Sequence, residues 1–531
     1  MSEGPKATSA GRGVLYIAFA KFYFMLAGLI VQFRLPAILS HVAWGSYSFI
    51  NAVVSPVNNV INTGTIQTVS RFSAQEPDKA RAVQNAGLRM HLRLGLPIAI
   101  GFVAAAPIVA WATYDSSKIA PLMLAGLIVG GNAFYTTFIG TANGTREFHK
   151  QAGLDITFAT VRTIGLVGMA MAGLGVIGVI GGWVAAVGII LVAASVWIGL
   201  PPKIAPAEKL PLRPMVGYFV KVAIYLALFN ALMFVDTWLI KRLTTQYFEA
   251  NAGVYAGALD RVVPWASHAS GYHADASAMA DVQVGYYAAV QNLARLSYQA
   301  IIAATFVVFP LVSRSTFADD KDTTRRYVEV TTRYSLMFAM AIAVVMAANP
   351  EDVLGLVYAP DYAHLGAPAL ILLALGNVAF SVFAIAGTIL NGAGLTRPAI
   401  VTAALTLALA AIGNYIAIPL AVDSGNALQV AAGVTGGAML VGAISTGIVL
   451  HRRLGAFLPI ASVVRVAIAT AVAIVVGRFL PFHGKLMTLV EAVIVGATFL
   501  AVLVITRELG KRDLEAIKAV RRKRAGQGEQ I

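Results

Sequence analysis

Long apolar runs recur along most of the chain, and they restrict its fold more than any other feature. Each run reaches the roughly 18–20 residues that a helix needs to cross about 30 Å of hydrocarbon. With 58% hydrophobic and only 12% charged residues among 531, a soluble protein could not bury so much apolar surface. The sequence therefore predicts an all-α polytopic membrane protein.

Hydropathy predicts about fourteen transmembrane helices. They lie near 14–38, 43–67, 92–114, 119–142, 152–173, 176–199, 214–240, 284–312, 328–349, 363–390, 398–420, 428–450, 460–479 and 486–506. The N-terminal segment MSEGPKATSAGRG carries no signal-peptide pattern, so the first apolar run is expected to remain as a helix. The absence of cysteine excludes disulfides and cysteine-ligated metal sites. We expect neither a metal nor another cofactor.

The distribution of basic residues predicts how these helices are oriented. With a cytoplasmic N-terminus, most of the 40 Lys and Arg residues fall at cytoplasmic ends and loops, including a basic tail at 507–531. The exceptions outside the spans are Lys118, Lys241, Arg242, Arg261, Arg478 and Lys485. This asymmetry predicts that both termini are cytoplasmic. Most of the net charge of +15 then serves topology and contact with membrane lipids, and a nucleic-acid partner is not indicated.

An internal repeat organises the first twelve predicted helices. The segment VSRFSAQEPDKARAVQ, at Val69, is echoed by VSRSTFADDKDTTRRYVE, at Val312, and other echoes such as Gly45-Ser46-Tyr47 with Gly285-Tyr286-Tyr287 follow in order. Because six is an even number, both copies cross the membrane in the same sense. Two parallel six-helix lobes around a central cleft are therefore predicted.

This repeat predicts the domain boundaries. The first lobe covers 1–200, and the second covers 201–455 with an outer insertion near 245–283. Two additional C-terminal helices cover 456–506 and precede the basic tail. The insertion contains His268 and His273, which lack further metal ligands nearby and are expected to be surface histidines.

Several motifs resemble a known transporter family. They are FRLPAILSHVAWGSYSF, VDTWLIKRL, VGYYAAVQNLARL, VLGLVYAPDYAHLGAPALILL and ILNGAGLTRP, in this order. Together they are similar to the polysaccharide transporter branch of the multidrug/oligosaccharidyl-lipid/polysaccharide exporter superfamily. The resemblance covers roughly residues 14–450. It implies a flippase of the bacterial inner membrane for undecaprenyl-pyrophosphate-linked oligosaccharides, which serve O-antigen, other lipopolysaccharide or exopolysaccharide synthesis.

Cations inside the predicted helices are the main candidates for substrate binding. Ionisable groups at membrane depth usually face a bundle interior or a water-filled cavity. The candidates are Lys21, Arg34, Arg162 and Arg295. Arg295 is predicted to lie near the middle of 284–312, whereas Arg34 could instead reach the membrane interface. A cleft lined by cations would suit a pyrophosphate, whose oxygens guanidinium groups bind bidentately.

Other polar residues fall in two of the predicted helices. Asp236 could balance a cavity cation, or it could couple transport to protons or sodium. The second helix carries a polar face suited to a cavity wall or to sugar hydroxyls. This face consists of Asn51, Ser55, Asn58 and Asn62. Hydrogen bonding between helices is the alternative role for these four side chains.

The sequence thus favours an alternating-access flippase for an anionic lipid-linked oligosaccharide, with polymerase-type biosynthesis proteins as partners. No G-x-x-x-x-G-K-[ST] loop is present, so ATP would not drive it directly. A peptidoglycan-precursor flippase and a cation-coupled drug antiporter are the alternatives within the same architecture. A membrane glycosyltransferase or polymerase is the alternative of a different class, but no carboxylate pair stands at a convincing spacing. We therefore expect no enzymatic activity.

Overall fold

The structure, a computed structural model, describes residues 7–201, 209–251, 275–299, 301, 312, 315–316, 320–480 and 484–510. Every regular element in this part of the chain is helical. Twelve of these helical stretches are long and apolar enough to cross a membrane. The predicted all-α polytopic fold is therefore confirmed.

The chain divides into two compact units, and the first comprises Met1–Ala288 together with Ala410–Leu428. Its helices up to residue 197 are α1 (Ala7–Ile38), α2 (His41–Gln75), α3 (Ala80–Arg93), α4 (Gly95–Ala112), α5 (Ile119–Gly144), α6 (Phe148–Met171) and α7 (Gly175–Trp197). The next three are α8 (Arg213–Leu232), α9 (Val235–Ala250) and α10 (Ala276–Ala294). The last residues of α10, from Ala289 on, belong to the second unit.

The second unit comprises Ala289–Leu409 and Gln429–Ile531. Its helices are α11 (Lys321–Ala348), α12 (Pro350–Gly355), α13 (Pro360–Gly392), α14 (Thr396–Val422), α15 (Ala427–Leu454), α16 (Ile460–Arg478) and α17 (Lys485–Ile505). The last two pack against each other and against α11. Parts of α14 and α15 belong to the first unit.

Close helix packing in the first unit depends on small residues. A Cβ added to Gly165 in α6 would lie 2.5 Å from the carbonyl oxygen of Gly182 in α7, and Gly182 meets Gly165 in the same way. Gly173, in the turn between these helices, and Gly175, the first residue of α7, both have positive φ. The sequence GLGVIG at 173–178 therefore forms a helical hairpin rather than a strand-turn-helix nucleotide site.

One predicted span was wrong: that at 214–240 is interrupted at Met233–Phe234, between α8 and α9. The span predicted at 92–114 corresponds to α4. The insertion predicted near 245–283 is helical at both ends, because α9 continues to Ala250 and α10 begins at Ala276. Hydropathy missed these ends because they are polar. Among their charges, Lys241 and Asp281 are buried and paired with each other, whereas Glu249 is exposed.

Some expectations lie outside the described residues. These are the positions of His268 and His273, the middle of the insertion at 252–274, and most of the basic tail, 511–531. The lobes predicted at 1–200 and 201–455 stay a prediction.

Candidate functional site

Arg162 lies in the middle of α6, within a membrane-spanning stretch, and is only partly exposed. Its guanidinium carbon lies 5.1 Å from the ring centre of Phe24 in α1 and 5.6 Å from that of Trp183 in α7. Two aromatic faces thus hold the cation in place. No carboxylate lies within ion-pair distance among the described residues.

Two hydrogen-bond donors at this position lack acceptors. The Nε of Arg162 and the indole Nε1 of Trp183 are both buried, and neither finds a partner in the described part of the chain. Buried donors are normally paired, since an unmade hydrogen bond is costly. Neither donor is therefore used by the described part of the chain. Sequence reasoning found Arg162 by its depth but missed Trp183, which looks like an ordinary core residue.

Lys21 is already paired with an acid. Its Nζ lies 2.8 Å from Oδ2 of Asp155 in α6, one of several contacts that attach α1 to α6. The lysine side chain is 53% exposed, whereas that of Asp155 is 9% exposed. This pair and the Arg162 contacts therefore lie on the same two facing helices, but only Arg162 lacks an ion-pair partner among the described residues.

The other two predicted cations lie elsewhere. Arg34 is exposed near the end of α1. Arg295 belongs to the second unit, where its backbone N–H donates to Gln291 at 3.0 Å. Arg295 directly follows α10, which ends at Ala294, and its carbonyl oxygen accepts the backbone N–H of Gln299 at 2.9 Å. Its place near the middle of a helix at 284–312 stays a prediction.

Asp236 is buried in the first turn of α9, just after the interruption that follows α8. Its Oδ1 accepts the backbone N–H of Thr237 at 2.7 Å, and its Oδ2 accepts the hydroxyl of Tyr287, in α10, at 2.7 Å. The position at a helix N-terminus favours a negative charge. A carboxylate held between two helices in this way can bind a cation or a proton.

The predicted polar face of α2 is used partly for contacts between helices. Asn58 accepts a hydrogen bond from Asn132 of α5 at 3.1 Å, while Ser55 donates within α2 to Asn51 at 2.9 Å. The buried Oδ1 of Asn62 has no hydrogen-bond partner in the described residues. Interhelical bonding thus accounts for Asn58, and the cavity role of the other three stays a prediction.

Sequence reasoning missed a buried set of four charges, which we call the charge cluster: Asp115, Lys118, Lys241 and Asp281. Lys118 lies 2.8 Å from Asp115 and 2.6 Å from Asp281, and Lys241 lies 2.8 Å from each of the same two carboxylates. All four side chains are at most 4% exposed. Each lysine thus bridges both acids, and the formal charges sum to zero.

The cluster is supported by polar neighbours. Lys241 also donates to the carbonyl and the hydroxyl oxygen of Ser277, both at 2.9 Å. Burial alone would raise the pKa of Asp115, but Lys241 and Lys118 outweigh it and lower that pKa. Asp115 consequently stays ionised well below neutral pH. The sequence gave only a weak sign of this cluster, because Lys118 and Asp281 are far apart in the chain and each was placed in an outer loop.

No group of three or more His, Cys, Asp or Glu residues suited to a metal occurs in the described residues.

Two family models match consecutive parts of this chain. A model described as polysaccharide biosynthesis protein matches residues 35–268, and the MatE model matches residues 276–416. No curated protein matches the sequence significantly.

Solved structures share the fold at low sequence identity. The lipid II flippase MurJ in an inward closed conformation is 12% identical, with a TM-score of 0.71 over 93% of this chain and 99% of that chain. An inward-facing multidrug resistance MATE family transporter of the MOP superfamily is 12% identical, with a TM-score of 0.60 over 81% and 94%. A MOP superfamily transporter from Pyrococcus furiosus is 12% identical, with a TM-score of 0.53 over 83% and 95%.

Proposed function

We propose that this chain, which resembles the multidrug/oligosaccharidyl-lipid/polysaccharide exporter superfamily over 35–268 and 276–416, flips a lipid-linked oligosaccharide with an anionic head group. The head group is of the undecaprenyl-pyrophosphate type, and the product serves synthesis of a surface polysaccharide such as O-antigen or exopolysaccharide. Transport proceeds by alternating access without covalent chemistry. The polysaccharide biosynthesis family match at 35–268 supports this cargo over a drug.

The observation that carries the proposal is the Arg162 site. An uncompensated guanidinium in a membrane helix is costly unless a ligand neutralises it for part of the cycle. The donors of Arg162 and Trp183 both lack acceptors in the described residues, and phosphate oxygens are acceptors that guanidinium binds well. Lys21, Arg34 and Arg295 are proposed as further contacts along the substrate path, with Asn51, Ser55 and Asn62 for sugar hydroxyls.

A peptidoglycan precursor is the second candidate cargo. The likeness to the lipid II flippase favours it, and its anionic lipid-linked head group would suit the same cations. A cation-coupled drug antiporter fits less well, because the Arg162 site would repel a cationic drug. The two lipid cargoes therefore need a direct comparison.

We expect the purified protein to move an anionic lipid-linked oligosaccharide across vesicle membranes. Fluorescent undecaprenyl-pyrophosphate oligosaccharide would be placed in vesicles, and a membrane-impermeant quencher would report the fraction in each leaflet. Matched vesicles would carry a fluorescent peptidoglycan precursor or the same glycan on a neutral lipid. Transfer of the neutral lipid at the same rate as the pyrophosphate lipid would contradict an anion-selective flippase.

We expect Asp236 to couple this transport to a proton or sodium gradient. Asp236→Asn removes the charge but keeps the shape, so it should abolish the several-fold acceleration that a gradient gives while leaving gradient-free exchange intact. Tyr287→Phe is the matched control, because it removes a hydrogen bond to Asp236 but keeps the carboxylate. An undiminished gradient response in Asp236→Asn would assign Asp236 to charge balance instead.

We propose that the protein lies in the bacterial inner membrane with both termini in the cytoplasm. The asymmetry of Lys and Arg along the chain supports this orientation. Its partners would be the enzymes that make the lipid-linked glycan on the cytoplasmic side and the polymerase that consumes it on the outer side.

A further inference from the structure

The charge cluster joins chain segments that are distant in sequence. Asp115 and Lys118 lie between α4 and α5, whereas Lys241 lies in α9 and Asp281 in α10. In the proposed orientation the segment between α4 and α5 lies on the outer side, and Lys241 and Asp281 contact it there. The cluster therefore ties one outer loop of the first predicted lobe to two helices of the second.

The same region contains an unusually close helix crossing. A Cβ on Gly45, in α2, would lie 1.6 Å from the carbonyl oxygen of Asp281, and a Cβ on Gly285 would lie 3.4 Å from Cα of Gly45. The indole of Trp44 donates to the carbonyl oxygen of Gly285 at 3.0 Å. Gly45 and Gly285 are also echoes of each other in the internal repeat. The two echoed glycines, near the start of α2 and in the middle of α10, thus meet directly, with no room for a side chain.

We propose that the charge cluster is an ionic lock that holds the outer side of this transporter closed, and that its ion pairs separate each time cargo leaves. The inference rests on the proposed alternating access, but not on the identity of the cargo. It assigns a role to four buried charges that the Arg162 site does not use.

The composition of the cluster suits a reversible lock. Opposite charges attract strongly where water is excluded, whereas the same pairs contribute little once water surrounds them. With two lysines and two aspartates, no net charge is stranded in the closed state, and each group can be hydrated separately in the open state. A permanent contact between helices would need no such charges, because apolar side chains can hold buried positions equally well.

The natural absence of cysteine allows a direct test of opening. Ser48 lies one turn beyond Gly45 in α2, is buried, and has a hydroxyl without a partner in the described residues. Ser48→Cys would thus provide a single thiol beneath the proposed lock. An impermeant maleimide would be added to intact cells, so that only access from the outer side is measured.

We expect Lys118→Met and Asp281→Asn each to raise the rate of Ser48→Cys labelling several-fold over the same variant with an intact cluster. The matched control is Lys79→Met, which breaks an exposed pair with Glu76 instead and should leave labelling unchanged. Membrane abundance would be measured in the same cells. Unchanged labelling in abundant Lys118→Met protein would overturn the lock, whatever the cargo proves to be.

A cross-link tests the same lock without removing any charge. Ser117 and Ser277 both donate to the carboxylate of Asp115, so their replacement by cysteines would place two thiols across the cluster. Bridging them with a short bifunctional methanethiosulfonate should stop flipping, and a reductant should restore it. Full transport by the bridged protein would overturn the proposed lock. Absence of transport in the double-cysteine protein before bridging would count against the proposed cargo only.

Discussion

Arg162→Ala is expected to reduce transport of the anionic lipid-linked glycan by about tenfold to a hundredfold, with little loss of protein from the membrane. Losing a charge-assisted hydrogen bond costs about 1.5–3 kcal/mol, which corresponds to that range. Since Arg162 has no carboxylate partner in the described residues, its removal strands no opposite charge. Flipping and membrane abundance should be measured on the same preparation.

Two matched variants separate the explanations for such a loss. Arg162→Lys keeps the positive charge but loses the planar fork, so partial activity would indicate that charge dominates over bidentate geometry. Lys21→Met removes a proposed substrate contact and also leaves Asp155 without its ion-pair partner, so it should lower both transport and abundance, whereas Arg162→Ala should lower transport alone. Normal flipping by Arg162→Ala would remove the central observation behind the proposed function.

The difference between Arg162 and Lys21 shows what the sequence could predict about the site. Both are cations within an apolar helix, and their predicted depth in the membrane was the reason for naming both as substrate-binding candidates. Whether a cation is neutralised depends on a partner far away in the chain, such as Asp155 for Lys21. Only the structure separates the paired cation from one held by two aromatic rings.

The transmembrane helices themselves were predictable, because their signal is local. The composition of an apolar run such as Gly175–Trp197 is enough to predict that the run crosses the membrane. In contrast, α9 carries KRLTTQ and was partly assigned to a loop. Its Lys241 is fully buried, and the hydropathy of a segment cannot show that its charge is neutralised by Asp115 and Asp281.

Two residues that the sequence paired as echoes of an internal repeat contact each other in the structure. They are Gly45 and Gly285 of the predicted repeat, and both are glycine because the helix backbones are nearly in contact. The sequence contained the echo, but it could not show that the two copies of the motif touch.

Gly45→Ala is therefore expected to have a large effect on both folding and transport. The new Cβ would lie 1.6 Å from the carbonyl oxygen of Asp281, a backbone atom that cannot move away as a side chain could. Overpacking a core by one methylene typically costs about 1–3 kcal/mol, and this contact is more severe because backbone must shift. The displacement would also pull Asp281 away from Lys118 and Lys241. We expect transport to be lost and Ser48→Cys to become labelled from outside, because the crossing of α2 and α10 cannot form.

Gly28→Ala is the matched control for this prediction. Gly28 lies in the membrane helix α1, and a Cβ there would meet no atom within 4 Å. The substitution should be neutral or stabilise the helix by about 0.5–1 kcal/mol through its backbone preference. Equal transport by the two alanine variants, with Ser48→Cys protected in both, would show that the outer side need not close at Gly45. A Gly45→Ala protein that accumulates, does not transport and is labelled from outside would instead tie the glycine crossing and the charge cluster to the same closing step.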